Sequence, residues 1–216
     1  MLAGRAEERH RDGLDRLPDE PDARQRQLTR VANAAWAAGL SLLMEGRCDE
    51  ASAWLREAAA RYRESFAGAP PGSWGRLIGI LKARLLARDW EGVVEDARWS
   101  LAQGPAAAES PIGRYAAVLA LLVLGEDREA GRLARTLRLE PEERFPPAVA
   151  DALAGLAVRD PELYAGALAR VLTSFEARAR EEFLEEVPVA DTVAVLEALA
   201  RQRALAAEPS SSLLPA

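Results

Sequence analysis

The stretch ANAAWAAGLSLLMEGRCDEASAWLREAAARYR, residues 32–63, decides the fold. Apolar and small residues recur at three- and four-residue steps on both sides of Gly46. Leu28, Val31, Ala35, Ala38 and Leu42 form the stripe that leads in, and Ala51, Leu55, Ala58, Tyr62 and Phe66 form the one that leads out. That spacing puts each set on one face of an α-helix. The stretch therefore predicts two antiparallel helices, the first starting at Asp22 and the second ending before Pro70-Pro71-Gly72.

The same punctuation repeats outward. Ser73 is expected to cap a helix carrying Leu77, Leu81 and Leu85, and Asp89 one carrying Trp90, Val93, Val94, Ala97 and Leu101, which Gly104-Pro105 stops. Ser110-Pro111 is a cap followed by a first-turn proline. The helix it opens ends at Gly125, and Asp127 opens the next, with Ala130, Ala134 and Leu137 inward. Pro146-Pro147 and Asp160-Pro161 start two more, and Val189 to Ala206 predicts a last amphipathic helix. Towards the N-terminus, residues 2–17 have helical composition but show little apolar periodicity beyond Leu14 and Leu17. The expected layout is an N-terminal helix over 1–20, a single helical repeat domain over 21–206 and an extended Pro/Ser-rich tail over 207–216, about ten helices in five hairpins.

Composition agrees. Of 216 residues, 49% are hydrophobic and 29% charged, the balance of a globular chain, and the helix formers Ala, Leu and Arg dominate over the β-branched and aromatic residues of sheets. An all-α fold follows. The net charge of −6 and pI near 5.1 argue against a nucleic-acid partner and for a basic one. A single cysteine, Cys48, leaves no thiol pair for a disulfide or a metal. No apolar stretch is long enough for a membrane span, and Met1 to Arg16 lacks the apolar core of a signal peptide. A cytoplasmic setting is the expectation.

Ala35, Ala38, Gly39, Leu42, Gly46, Ala51, Leu55 and Ala58 together resemble one tetratricopeptide repeat. The resemblance implies antiparallel hairpins stacked as a short α-solenoid, with Gly39 and Ala51 as the close-contact pair, Gly46 at the turn, and protein binding as the work. Setting Trp90 at the large aromatic position of a second repeat puts Val93 where Ala51 stood. Val93 lies 42 residues after Ala51, and Ala130 lies 37 after Val93, against a usual period of about 34. The repeats are thus divergent, with lengthened loops. In the same register an inner groove is lined by Trp36, Leu40 and Leu43, then Ile78, Lys82 and Leu85, then Tyr115, Leu119 and Leu122. Such an apolar groove needs a cover. The candidates are the C-terminal helix with Leu213-Leu214, which has the greater apolar content, and the first helix through Leu14 and Leu17.

The C-terminal third carries a second likeness. Phe145-Pro146-Pro147, the hairpin from Val158 to Leu172, Val189-Ala190-Asp191 and the ending Ser211-Ser212-Leu213-Leu214-Pro215 resemble immunity-protein family forty-nine of bacterial polymorphic toxin systems. That resemblance implies a protein that binds and blocks a cognate toxin; the tetratricopeptide likeness implies an adaptor or regulatory scaffold.

Catalytic constellations are missing from the sequence. There is no Walker A, GxGxxG or GxSxG pattern. His10 is the only histidine and is expected to be solvated; Cys48 is expected to be a buried structural thiol. The reading is of a protein that is not an enzyme, with no cofactor and no metal. Glu181, Glu182, Glu185 and Glu186 form two like-charge pairs four apart. They are the candidate contact for a basic toxin or peptide, and the alternative is a solvated face balanced by Arg178 and Arg180.

Overall fold

A computed structural model describes residues 2–181 and 189–215, with the side chains of Leu2, Arg180 and Glu181 excepted. The described residues form ten α-helices and no strand. They are α1 (Leu2–Asp15), α2 (Pro21–Met44), α3 (Cys48–Ala67), α4 (Gly75–Leu86), α5 (Trp90–Ala102), α6 (Pro111–Leu124), α7 (Asp127–Arg138), α8 (Pro147–Val158), α9 (Pro161–Glu181) and α10 (Asp191–Gln202), with a 3₁₀ turn at Pro105–Ala107 between α5 and α6. Helices consecutive in sequence pack against each other, giving a stack of antiparallel hairpins.

The boundaries follow from the local chemistry of the backbone ends. The Glu20 carboxylate accepts from the amides of Asp22 (2.9 Å) and Ala23 (2.6 Å) ahead of Pro21, and Ser110 Oγ accepts from the Ile112 amide ahead of Pro111. Asp89 caps α5 through the Gly92 amide, and Asp160 caps α9 through that of Leu163. Ser73 does not cap α4: its hydroxyl donates to the Pro70 carbonyl within the preceding turn, and α4 starts at Gly75 with no side-chain cap. The last helix is also shorter than the periodicity suggested, because Ala204 adopts a left-handed backbone (φ 56°) that turns the chain out of α10.

In the first hairpin, a Cβ on Gly39 would fall 2.7 Å from Leu55 Cγ and 3.4 Å from the Ala51 carbonyl oxygen, so α2 and α3 approach as closely as a bare α-carbon permits. Gly46, at φ 75°, makes the turn between them. The seam of this hairpin and α4 is rich in alanine: Ala32, Ala35, Ala58, Ala59, Leu77 and Ile80 cluster there with Tyr62. The larger core runs from α4 to α10 and includes Leu81, Leu85, Leu119, Leu153 and Leu196. Leu55 is fully buried, whereas Trp90 and Leu101 are half-buried at the edge of the larger core rather than sealed in a seam.

Charged groups join the first two hairpins. Asp96, 1% exposed, accepts from Arg63 Nη1 (2.6 Å) and Arg84 Nε (2.9 Å), so α3, α4 and α5 share one carboxylate, and Arg63 also stacks over Trp99. At the other end Arg203, just beyond α10, donates to the Leu122 carbonyl (2.8 Å) and pairs with Asp127.

α1 is held more firmly than its composition suggested. Ala3, Ala6, His10 and Gly13 form its buried face. His10, which the sequence reading left in solvent, is 7% exposed, meets the Trp54 ring edge-on at 5.0 Å and bonds Glu57 at 3.2 Å.

Two glycines give opposite expectations. Gly39→Leu overpacks the α2–α3 seam and should destabilise by about 1–3 kcal/mol. Gly4→Ala, where nothing lies within 4 Å of the added methyl, should stabilise by up to about 1 kcal/mol. Thermal denaturation followed by circular dichroism measures both; a melting temperature unmoved by Gly39→Leu would refute the close approach.

Candidate functional site

The inner stripe is split. Leu85, Tyr115, Leu119 and Leu122 lie in the larger core, each no more than 6% exposed, with Val193, Leu196 and Leu199 of α10 and Leu213 of the tail in the same cluster. The C-terminal segment thus covers the stripe along α4 and α6. Trp36, Leu40 and Leu43 on α2, and Ile78 on α4, remain half-buried. α1 lies elsewhere, against α2 and α3, with Gly13 facing Val31 and Ala3 in the cluster of Leu42 and Ala51.

A polar cluster fixes this cover. Lys82, the chain's only lysine, projects from the apolar side of α4. Its Nζ stands 2.9 Å from Asp191 Oδ2 and 2.9 Å from Thr192 Oγ1, at the first turn of α10. Asp191 Oδ1 in turn accepts from the Thr192 amide at 2.7 Å. Nearby, Tyr62 donates to Asn33 Oδ1 at 2.6 Å, and the buried Tyr115 hydroxyl has no hydrogen-bond partner among the described residues. Burial disfavours the Lys82 ammonium, but Tyr115 and the Asp191 carboxylate outweigh it and hold its pKa above the ordinary value of 10.5. Burial raises Tyr62 and Tyr115 above 10.0, and the Asp191 charge adds to both. A lysine held protonated in an ion pair is a hydrogen-bond donor and an anchor, not a nucleophile.

One turn further along α10, the buried Glu197 accepts from the Tyr164 hydroxyl (3.1 Å) and from the amides of Ala207 (3.3 Å) and Glu208 (3.0 Å). Its environment also lifts Tyr164, by burial first and the Glu197 charge second. The tail then returns so that the Ala190 amide donates to the Leu213 carbonyl at 2.8 Å, and Ser211 bonds Glu176.

Cys48 is exposed, because α3 begins at this residue and its first turn faces outward; the buried thiol expected from the sequence is not found. Glu182, Glu185 and Glu186 lie outside the described residues, and of Glu181 only the backbone is described, at the end of α9. Among the described residues no group of three or more His, Cys, Asp or Glu side chains is placed to hold a metal ion. No helix among them is long and apolar enough to cross a membrane. Lys82 was visible in the sequence as a lone cation among Ile78, Leu81 and Leu85, but its partners were not. Glu197 left a similar trace, an acid between Val193, Leu196 and Ala200.

The Lys82–Asp191 pair is largely withdrawn from water, its side chains 12% and 24% exposed, and removing one member leaves the other short of compensation. Lys82→Met should therefore cost about 3 kcal/mol, and the double variant with Asp191→Ala should cost less than the two single changes summed. Lys82, Tyr62, Tyr115 and Tyr164 all have folded-state pKa values above their unfolded ones. The folded chain thus binds more protons in alkali, and stability present below pH 10.0 is lost as pH rises beyond it. Tyrosinate absorbance should rise together with the loss of helical signal; tyrosines that titrate in a still-folded chain would contradict this.

No protein-family model matches the chain, and neither a curated protein nor a solved structure matches it.

Proposed function

We propose that this protein is a non-catalytic, protein-binding protein of the immunity type, which neutralises a cognate toxin by forming a tight complex. The observation that carries the reading is the seating of α10 on the inner face by Lys82, Asp191 and Thr192. An adaptor that takes an extended peptide into its groove needs that groove open. Here the stretch of that groove along α4 and α6 is already closed by the chain's own segment, so recognition falls chiefly to outer faces and loops. A pre-formed surface loses little conformational entropy on binding, which suits a blocking inhibitor. The net charge of −6 favours a basic toxin by electrostatic steering. Neither nucleic acid nor membrane is a proposed partner, and the setting is cytoplasmic.

The adaptor reading retains one supporting observation. Trp36, Leu40 and Leu43 stay half-exposed at the α2 end of the stripe, and a partner helix could anchor there.

Co-expression with the product of the neighbouring gene separates the two. The immunity reading expects that product to arrest bacterial growth alone, growth to return in the presence of this protein, and an equimolar complex to elute on gel filtration. Trp36→Ala with Leu43→Ala should leave that complex intact. A loss of about 2 kcal/mol or more of binding in that variant would favour the adaptor, and unrelieved growth arrest without a complex would refute the immunity reading.

A further inference from the structure

A cavity of about 670 Å³ opens between the α2–α3 turn, the α4–α5 turn, α10 and the tail. Its lining is graded by depth. Leu85 and Val193 at the floor are buried, Leu43, Leu86, Trp90, Ala198 and Leu214 on the walls are half-buried, and Arg88 and Arg201 are exposed at the mouth. A concave space of this size that joins an apolar floor and walls to polar groups at its mouth is a usual form of a small-molecule site.

The two arginines give the site its sign. Among the described residues, neither guanidinium forms an ion pair or a hydrogen bond. The lining also holds two carboxylates, Glu197 and Asp49. Glu197 is occupied by Tyr164 and the two tail amides. Asp49 sits in the first turn of α3, where the helix end itself favours a negative charge. Among the described residues that leaves one open carboxylate against two guanidinium groups at the mouth, a net positive charge.

Backbone conformation places the Arg88 side chain at this mouth. Arg88 is left-handed, at φ 54°, in the turn after α4. The turns after α2 and α6 use Gly46 and Gly125 for that conformation, as is usual, because a side chain there is strained. The turn after α8 uses Arg159, whose guanidinium is engaged by Asp127 at 3.0 Å. Arg88 closes its turn in the same way, its amide donating to the Leu85 carbonyl at 3.1 Å and the Asp89 amide to that of Arg84 at 3.0 Å, which leaves its side chain lining the cavity.

We propose that this cavity binds a small amphiphile with one carboxylate head, its chain between Leu43, Leu86, Trp90 and Leu214 and its head between Arg88 and Arg201. The planar guanidinium fork suits a carboxylate. This site is separate from toxin binding and stands or falls without it.

Isothermal titration calorimetry of the full chain with decanoate, below its micellar range, tests the proposal, with decyltrimethylammonium as the cationic counterpart. The expected result is saturable equimolar binding of decanoate, with the cation weaker by about tenfold or more. Arg88→Asn with Arg201→Gln should weaken decanoate by about tenfold or more and leave decanol unchanged; asparagine is chosen because it tolerates a left-handed backbone. Ala198→Trp, checked for an unchanged helical spectrum, should abolish binding of both. No saturable binding, equal affinity for anion and cation, or undiminished binding by folded Ala198→Trp would each overturn the proposal.

Discussion

A stack of helical hairpins leaves an apolar stripe along its inner face that no further turn of the stack can bury, and the rest of this structure depends on how that stripe is covered. α10 lies over it, contributing Val193, Leu196 and Leu199 to the core that holds Leu85, Leu119 and Leu122. Burial of each such side chain is worth about 1.5–3 kcal/mol, which makes covering the stripe favourable. Apolar burial alone is non-directional, however, and does not choose one seating of α10 among several. The contacts of Lys82 with Asp191 and Thr192 do, because a half-buried cation must meet a carboxylate and a hydroxyl at defined positions.

That choice propagates. With Asp191 on Lys82, the helical register carries Glu197 to Tyr164 and to the amides of Ala207 and Glu208. The chain then turns through two left-handed residues, Ala204 and Glu208, and returns to place Leu213 beside Ala190. The same path forms one wall of the cavity near Trp90. A half-buried pair such as Lys82–Asp191 contributes less net stability than its Coulomb attraction suggests, since both ions lose part of their hydration. Its role here is to fix one arrangement of the C-terminal segment.

How legible an element was in the sequence followed the range of the interaction that fixes it. Prolines at Pro111, Pro147 and Pro161, the first and last preceded by the caps Ser110 and Asp160, marked helix starts because their effect is confined to one turn. The seam at Gly39 was marked because a helical face repeats every three to four residues. α1 was harder: its buried face is built from Ala3, Ala6, His10 and Gly13, spaced three, four and three apart, and small residues give that stripe little hydrophobic contrast. His10 was misjudged for the same reason, since its burial depends on Trp54 and Glu57, more than forty positions away. Cys48 was misjudged by a shift of the helix start, which moved it from a packing position to an outward-facing first turn.

The sequence by itself determined the all-α class, the order of the hairpins, the turn at Gly46 and the presence of an uncovered apolar stripe. Those properties follow from periodicity and backbone stereochemistry, which act over a few residues. Only the tertiary structure decided that α10 covers the stripe, that Lys82 meets Asp191 across 109 positions, and that Arg88 and Arg201 share the mouth of one cavity. Those depend on which distant surfaces are brought together, and a lone lysine or a buried acid announces the need for a partner without naming it.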